Sequence, residues 1–456
     1  MENKSLWTRT THLSSYPILN KNIKTGTVII GGGMTGLLCG YYLNQQNQDY
    51  MIVEQNTIAK HTTAGTTAKI TTQHGLVYGN LLKYQGKEIA QGYFQANKQA
   101  MKTLIQLAQT IDCDFQYQTN LIYDMETQDA IEAEINALEE IGGEGTLIQN
   151  PNMLPVKPKA ALAVQHQGQF HPLKFLNAIA QEQSQSESQN HIFHHTKAVD
   201  ICKDKDGYRV IVLSGPAQSI HTIFAQEVII ATHFPFKNIR GLYFMKMHQA
   251  RSYAILLEGV DKEKLPPFMA MGSQPTDLSL RTYQDKLILG GRGGKTGEKH
   301  GGVLQLIEDA ENYYPEANVT QSWAAQDCMS LDQMPYIGNH NPSLPGVKVA
   351  TGYNKWGMTN SMVAALALTG QMDKELANIF YPHRTMVQPQ LLSNLATSTK
   401  NLITFKKPRC SHLGCALQWN SAERSWDCPC HGSRYNRQGH ILNEPAHDPI
   451  VPPTIS

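Results

Sequence analysis

Thr27-Val28-Ile29-Ile30-Gly31-Gly32-Gly33-Met34-Thr35-Gly36 is the stretch that decides how the chain is read. A short apolar run leads into a glycine turn and then a helical pattern, so the order is strand, turn, helix. Gly31 suits a tight turn, Gly33 removes the side chain where a pyrophosphate must approach the helix N-terminus, and Gly36 lets helix and strand pack closely. Met34 and Thr35 open the helix between them, and Gly40 extends the glycine series. After a polar turn, Tyr50-Met51-Ile52-Val53 reads as a second strand ending at Glu54, placed to take the hydroxyls of an adenosine ribose. Strand, glycines, helix, second strand and acid fall within the ~30 residues of such a unit, so a dinucleotide is the expected ligand. The plainer alternative is a glycine-rich turn in an ordinary βαβ unit.

Outside that unit, the 456 residues exceed one ordinary domain, and two or three compact units are expected. A net charge of +1 with evenly spread Lys, Arg, Asp and Glu leaves no basic stripe for nucleic acid. No apolar run approaches the ~18 residues of a membrane span, and Met1-Glu2-Asn3-Lys4-Ser5 lacks the apolar core of a signal peptide, so a cytoplasmic location is expected. Four of the eight cysteines, Cys39, Cys113, Cys202 and Cys328, are scattered and read as small buried residues. The other four crowd the C-terminal region.

Residues 7–22 form a polar lead-in without legible chemistry. Residues 61–74, rich in Thr, read as a loop with many donors. Helical spacing appears over 81–110 and 130–141, and a helix opened by His171-Pro172 closes in a polar run at 181–190. Strands are expected at 198–203, 208–213, 227–232, 249–257 and 280–290, with the glycines of 290–294 as a sharp break. A further strand, 347–350, leads through Gly352-Tyr353-Asn354-Lys355-Trp356-Gly357-Met358 into a helix at 359–370. That is a second strand, glycine loop and helix N-terminus, ready for an anion or a polarised ring oxygen.

Together, residues 28–54, 168–176, 228–232, 332–338 and 347–358 resemble the D-amino-acid oxidase and glycine oxidase family of FAD enzymes. The resemblance implies that Gly31, Gly33, Met34, Thr35, Gly36 and Glu54 take the ADP half of FAD, and that Gly352, Trp356, Gly357 and Met358 lie near the pyrimidine end of its ring. It implies an α/β fold in which a Rossmann-type FAD-binding domain (about 25–80, 165–240 and 330–385) is interleaved with an antiparallel-sheet substrate domain (about 81–164 and 241–329). The family usually has Ala-Thr-Gly where this chain has Ala231-Thr232-His233, which bears on local loop geometry.

Near the C-terminus stand Cys410-Ser411-His412-Leu413-Gly414-Cys415 and Cys428-Pro429-Cys430-His431-Gly432-Ser433. One Cys-x-His and one Cys-x-x-His give two thiolates and two imidazoles on two loops. A tetrahedral zinc site uses such a set, and so does a [2Fe-2S] cluster with cysteines on one iron and histidines on the other. Residues 410–446 closely resemble the Rieske proteins of respiratory and photosynthetic cytochrome complexes. By that resemblance Cys410, His412, Cys428 and His431 are the cluster ligands, Cys415 and Cys430 form a loop-linking disulfide, and the hydroxyls of Ser433 and Tyr435 donate to sulfur. Such hydrogen bonds favour the reduced state and place the potential toward the upper part of the ~−150 to +300 mV range. Only a short stretch precedes the first ligand loop, so this all-β unit, residues 396–456 behind the flavoprotein residues 1–395, is a minimal Rieske domain that needs the flavoprotein surface to complete it.

The pair of cofactors, FAD and [2Fe-2S], implies conversion between hydride and single-electron transfer. The family resemblance implies an amine or amino acid as donor and a dehydrogenase that passes electrons through the cluster to a one-electron carrier protein or a quinone. The alternatives are a redox sensor or electron-transfer protein without an organic substrate, and a reductase fed through the cluster. A substrate carboxylate calls for an arginine fork. Arg251, Arg281 and Arg292 lie in or beside expected strands, and Arg292, bracketed by glycines, is the preferred candidate. Lys69, His74 and His248 complete the catalytic candidates.

Overall fold

The computed structural model describes residues 4–184, 191–237, 241–384 and 407–451. The strand Ile23–Ile30 sits mid-sheet, parallel to Tyr50–Val53 on one side and to Ser219–Ile230 on the other. Val347–Thr351 continues the parallel order, Tyr336–Asn339 closes one edge antiparallel, and Ile192–Phe193 closes the other. Val28, Ile29, Ile30 and Tyr50 to Val53 are all buried, as unbroken apolar runs in a two-sided parallel sheet must be. The meander Thr196–Asp204, Gly207–Ser214 leads antiparallel into Ser219–Ile230. The helices Met34–Gln45 and Gly357–Leu368 are joined where Thr35 Oγ1 donates to Ser361 Oγ at 2.9 Å. Both glycine turns therefore open on one side of the sheet.

The second sheet runs Asn318–Ser330, Met247–Glu258, Lys286–Lys295, Ser279–Tyr283, Phe268–Gly272, Gln116–Asp124, Ala160–Gln169, Lys69–Ile70, with Thr146–Gln149 also on Ala160–Gln169. Every joint between these strands is antiparallel except that between Phe268–Gly272 and Gln116–Asp124. A small antiparallel meander, Gln418–Asn420, Ser425–Asp427, Arg434–Asn436 and Ile441–Asn443, forms the C-terminal unit around Leu417, Trp426, Tyr435 and Ala446. The α/β nucleotide fold, the largely antiparallel second sheet and the small all-β unit match the expected fold class.

Several local readings change. The helix expected over 81–110 is two, Val77–Gln85 and Lys87–Gln109, broken at Gly86, whose φ of +88° leaves the helical region. The run 280–290 is a hairpin turning at Gln284, and the glycines of 290–294 continue its second strand instead of breaking it. There a Cβ on Gly293 would stand 2.1 Å from the Arg251 carbonyl, so glycine serves close strand approach. The lead-in is not merely superficial: Trp7 is fully buried, donates Nε1–H to the Thr66 carbonyl at 2.7 Å and lies under the Arg281 guanidinium. The 61–74 loop contains a helical turn, Thr62–Gly65, and the edge strand Lys69–Ile70. Of the scattered cysteines, Cys202 is only half-buried. Residues 185–190 of the polar run and the linker and domain boundary at 395–396 lie outside the described residues. Among the described residues, no helix is long and apolar enough to cross a membrane.

Candidate active site and iron–sulfur centre

Both glycine turns open on a cavity of about 570 Å3. A Cβ on Gly31 would stand 2.5 Å from the Ala231 carbonyl, and one on Gly36 1.9 Å from the Gly31 carbonyl, so both are glycines for packing. Gly33 differs. Its Cβ would meet only Thr63 Oγ1 at 3.3 Å, and it lines the cavity, which is the cradle a phosphate requires. Neither Gly33 nor Trp356 caps its helix with a side chain, and Met34 N has only a long contact with Thr63 Oγ1 at 3.4 Å, so both positive helix ends face this space. Glu54 Oε2 accepts from Gly32 N and Oε1 from Asn56 N, each at 2.8 Å, which fixes the carboxylate while leaving each oxygen a further lone pair. Uncapped amides, a side-chain-free approach and a positioned acid fit FAD.

The second loop is held in shape by Asn354, whose Nδ2 donates to Ser330 Oγ at 2.8 Å while its Oδ1 accepts from Ser330 N at 2.8 Å. Gly352, Asn354 and Lys355 all have positive φ, and Gly352 alone pays nothing for it. Gly357 and Met358 line the cavity beside Trp356. Trp356 stacks on His74, with ring centroids 5.0 Å apart and planes 17° from parallel. His74 is bonded to Tyr93 Oη at 2.6 Å and the Thr71 carbonyl at 2.9 Å, and burial lowers its pKa to about 3, so it stays neutral.

Of the expected catalytic candidates, Lys69 lines the cavity. Its Nζ donates to the Ala270 carbonyl and to Ser279 Oγ, both at 2.6 Å, and burial, reinforced by Arg281, lowers its pKa to about 7. His248 is not on the cavity wall among the described residues, and burial lowers it to about 4. Each arginine has partners of its own. Arg292 forks onto Asp309 at 2.6 and 2.7 Å, Arg281 serves Gln169 and the Thr67 and Phe170 carbonyls, and Arg251 forks onto Glu423 of the C-terminal unit. The wall's cations among the described residues are Lys60, Lys69, Lys197 and Lys355. Lys355 and Asp327, which sequence reasoning did not single out, both line it, and burial pushes the Asp327 carboxyl up to about 6.

In the C-terminal unit, Cys410 Sγ lies 3.3 Å from Tyr435 Oη and beside Cys428 and Ser433. The rings of His412 and His431 meet edge-on with centroids 5.0 Å apart, and burial lowers them to about 3 and about 4, the neutral form a ligand needs. His431 Nδ1 is buried without a hydrogen-bond partner among the described residues. The donor atoms of Cys415, Cys428 and His431 lie within 4.8 Å of one another. This enclosed set of thiols and imidazoles fits an iron–sulfur cluster. The expected disulfide is absent: Cys415 and Cys430 are free thiols in side-chain contact.

The histidine edge is turned inward. His412 packs on Phe234 and His431 on Phe244, with centroids 6.4 and 5.9 Å apart. Just before Phe234, His233 takes φ +66°, so the backbone keeps the glycine-like conformation despite the departure from Ala-Thr-Gly. Gln249 Nε2 donates to the His431 carbonyl at 3.0 Å, and Gln326 Nε2 donates to the Gly432 carbonyl at 2.8 Å. Both glutamines also line the flavin cavity. No periodicity or motif marks them; their only sequence signal is a polar residue within an apolar strand run.

The family model for the FAD-dependent oxidoreductases called DAO matches residues 27–371, and that for the Rieske [2Fe-2S] domain matches 383–454. A protein of Bacillus subtilis (strain 168) that bears the name of a Rieske 2Fe-2S iron-sulfur protein, YhfW, is 31% identical over 506 aligned positions, covering 98% of this chain and 97% of that protein. Glycine oxidase from Geobacillus kaustophilus superimposes with a TM-score of 0.64 at 16% identity, over 80% of this chain and 100% of its own. L-proline dehydrogenase from P. horikoshii does so at 0.63 and 14%, over 80% and 98%. These two share the fold. The chain therefore belongs to the DAO family of FAD-dependent oxidoreductases, binds FAD, and carries a Rieske [2Fe-2S] domain after its flavoprotein part.

Proposed function

We propose that this oxidoreductase is a dehydrogenase acting on the C–N bond of an amine or amino acid, with electrons leaving through the Rieske centre to a one-electron carrier protein or a quinone. When bound, FAD takes a hydride from the carbon beside an amine, and the [2Fe-2S] cluster accepts electrons singly. The observation that carries the reading is the double duty of Gln249 and Gln326, which line the flavin cavity and hold the His431–Gly432 backbone. An enzyme that delivered electrons to oxygen at its flavin would have no use for such a joint. Fusion also holds the two centres at high effective concentration.

In this reading residues 1–395 are the flavoprotein and 396–456 the Rieske domain. Gly33, Met34, Thr35 and Glu54 hold the ADP half in a turn that Gly31 and Gly36 allow to pack, and Gly352, Trp356, Gly357 and Met358 border the ring. Cys410, His412, Cys428 and His431 hold the cluster. Lys69 takes the proton from the substrate ammonium, since its buried amine is neutral at mildly alkaline pH and stands on the cavity wall. His74 orients Trp356 by stacking. Proteins of the same fold bear the names glycine oxidase, L-amino acid deaminase and L-proline dehydrogenase, and a carboxylate here would meet a lysine in place of an arginine fork.

The test is anaerobic stopped-flow with a panel of amines and amino acids. A substrate should bleach the flavin and then reduce the cluster within one turnover. If peroxide release under air is as fast in His431→Ala as in the parent, the cluster is off the catalytic path and the proposal fails.

A further inference from the structure

The cavity is not walled by the flavoprotein alone. At the end where Glu54, Gln55 and Asn56 leave the second strand, residues from 441 to 447, in the last strand of the Rieske sheet and just beyond it, form the opposite wall. Glu444 stands near Glu54. Its Oε1 accepts from Gln55 Nε2 at 3.3 Å, and Lys197 and Glu54 are the charged groups that act on it. Its backbone carbonyl accepts from Gln249 Nε2 at 2.8 Å, so this segment is pinned to the flavoprotein at the same glutamine that holds the cluster loop. From the other side, Ser433 Oγ accepts from Ala446 N at 3.1 Å and ties the segment to the ligand loop.

We propose that the Rieske domain is a structural part of the FAD site: residues 441–447 close the cavity over the adenosine half of the cofactor, and the Glu444 carboxyl hydrogen-bonds that half. Two acids facing one buried space repel unless a donor lies between them. Both oxygens of Glu54 are already oriented by backbone amides, while among the described residues the Glu444 carboxyl has one long amide contact. Ribose hydroxyls and the adenine amino group are the donors that relieve this, and no other part of FAD offers them at the end of the cavity opposite the ring. The Rieske unit is thereby more than an electron relay bolted to a finished flavoprotein, because its wall segment retains the cofactor.

The experiment follows FAD release from the holoprotein by flavin fluorescence after dilution, without substrate. A hydrogen bond to a carboxyl contributes ~1.5–3 kcal/mol, so Glu444→Ala should release FAD about tenfold or more faster, and Glu444→Gln, which keeps size and hydrogen-bonding capacity, less so. Gly432→Ala should also accelerate release although Glu444 is intact, because a Cβ there would stand 2.5 Å from Gln249 Cβ and lift the segment. The Rieske electron paramagnetic resonance signal checks that the domain remains folded in each variant. If Glu444→Ala keeps the signal and releases FAD within about twofold of the parent rate, the adenosine contact is refuted; if Gly432→Ala does the same, domain closure is refuted. Neither outcome depends on the identity of the amine or on whether the flavin is oxidised by oxygen, so the proposed reaction stands or falls separately.

Discussion

Gly432 lies against Gln249 so closely that a Cβ on the glycine would stand 2.5 Å from Gln249 Cβ, 2.9 Å from Cγ and 3.0 Å from Cδ, and its own φ of +88° disfavours any side chain. The backbone before it accepts the Gln249 amide. In Gln249→Leu, which removes that donor, the cluster-reduction phase should slow by about tenfold or more while flavin bleaching stays within about twofold. Two-wavelength stopped-flow separates the phases. Equal slowing of both would refute a specific part for Gln249 in passing electrons across the joint.

The iron–sulfur assignment predicts about two irons and two acid-labile sulfides per chain. His431→Ala should abolish the Rieske resonance signal, and substrate should still bleach the flavin when free FAD is supplied in excess. Anaerobically purified protein holding stoichiometric zinc and no iron would contradict the centre.

Lys69 gives a pH dependence with a definite sign. Its pKa is lowered to about 7, so the amine is protonated and unable to accept below that pH and becomes a base above it. Flavin bleaching should therefore rise with pH through about 7 when substrate ionisation is factored out. Lys69→Met should remove that limb and slow bleaching by ~10²-fold. An unchanged profile would assign the limb to another group.

Arg251 and Glu423 form a fork across the two parts of the chain, with side chains 10% and 13% exposed, and Arg434 leans on the same carboxylate. Removing Glu423 strands the Arg251 guanidinium and takes one of two carboxylates from Arg434, which keeps Asp427 at 2.8 Å. Removing Arg251 leaves Glu423 with Arg434. Glu423→Ala should thus cost about 3 kcal/mol in thermal unfolding followed through cluster absorbance, and Arg251→Ala less. The reverse order would show that Arg434 contributes nothing to the joint.

The flavin should come free on boiling. Cys328 is buried, with its thiol 3.6 Å from the His233 carbonyl, and it is not on the cavity wall. Colour that stays with the precipitate would show a covalent bond.

What sequence could convey divides by distance along the chain. The turn at Gly31 to Gly36 was legible because each glycine answers a local need, and the ligand loops were legible because their donors recur at short fixed spacing. The partner of Arg251 was not, since Glu423 lies 172 residues away and any exposed-looking arginine reads the same. Arg292 looked like a substrate clamp for its flanking glycines, yet those glycines let strands approach and the guanidinium meets Asp309. Strand 280–290 hid a two-residue reversal at Gln284 and Asp285, which carries no Gly or Pro to mark it. Gln249 and Gln326 are ordinary strand residues until the fold brings a second unit to them.

Gln55 and Glu444 face each other across 389 residues of chain. On a ribosome adding about 5–20 residues per second, the nucleotide fold, complete only with Val347–Thr351, is exposed for roughly 5–20 seconds before its last wall emerges. FAD that enters early sits in an open trough and exchanges with the free pool. Capture becomes durable only when the C-terminal unit has acquired its metal and settled onto Gln249, so a shortage of iron during synthesis should appear in the cell as a shortage of retained flavin.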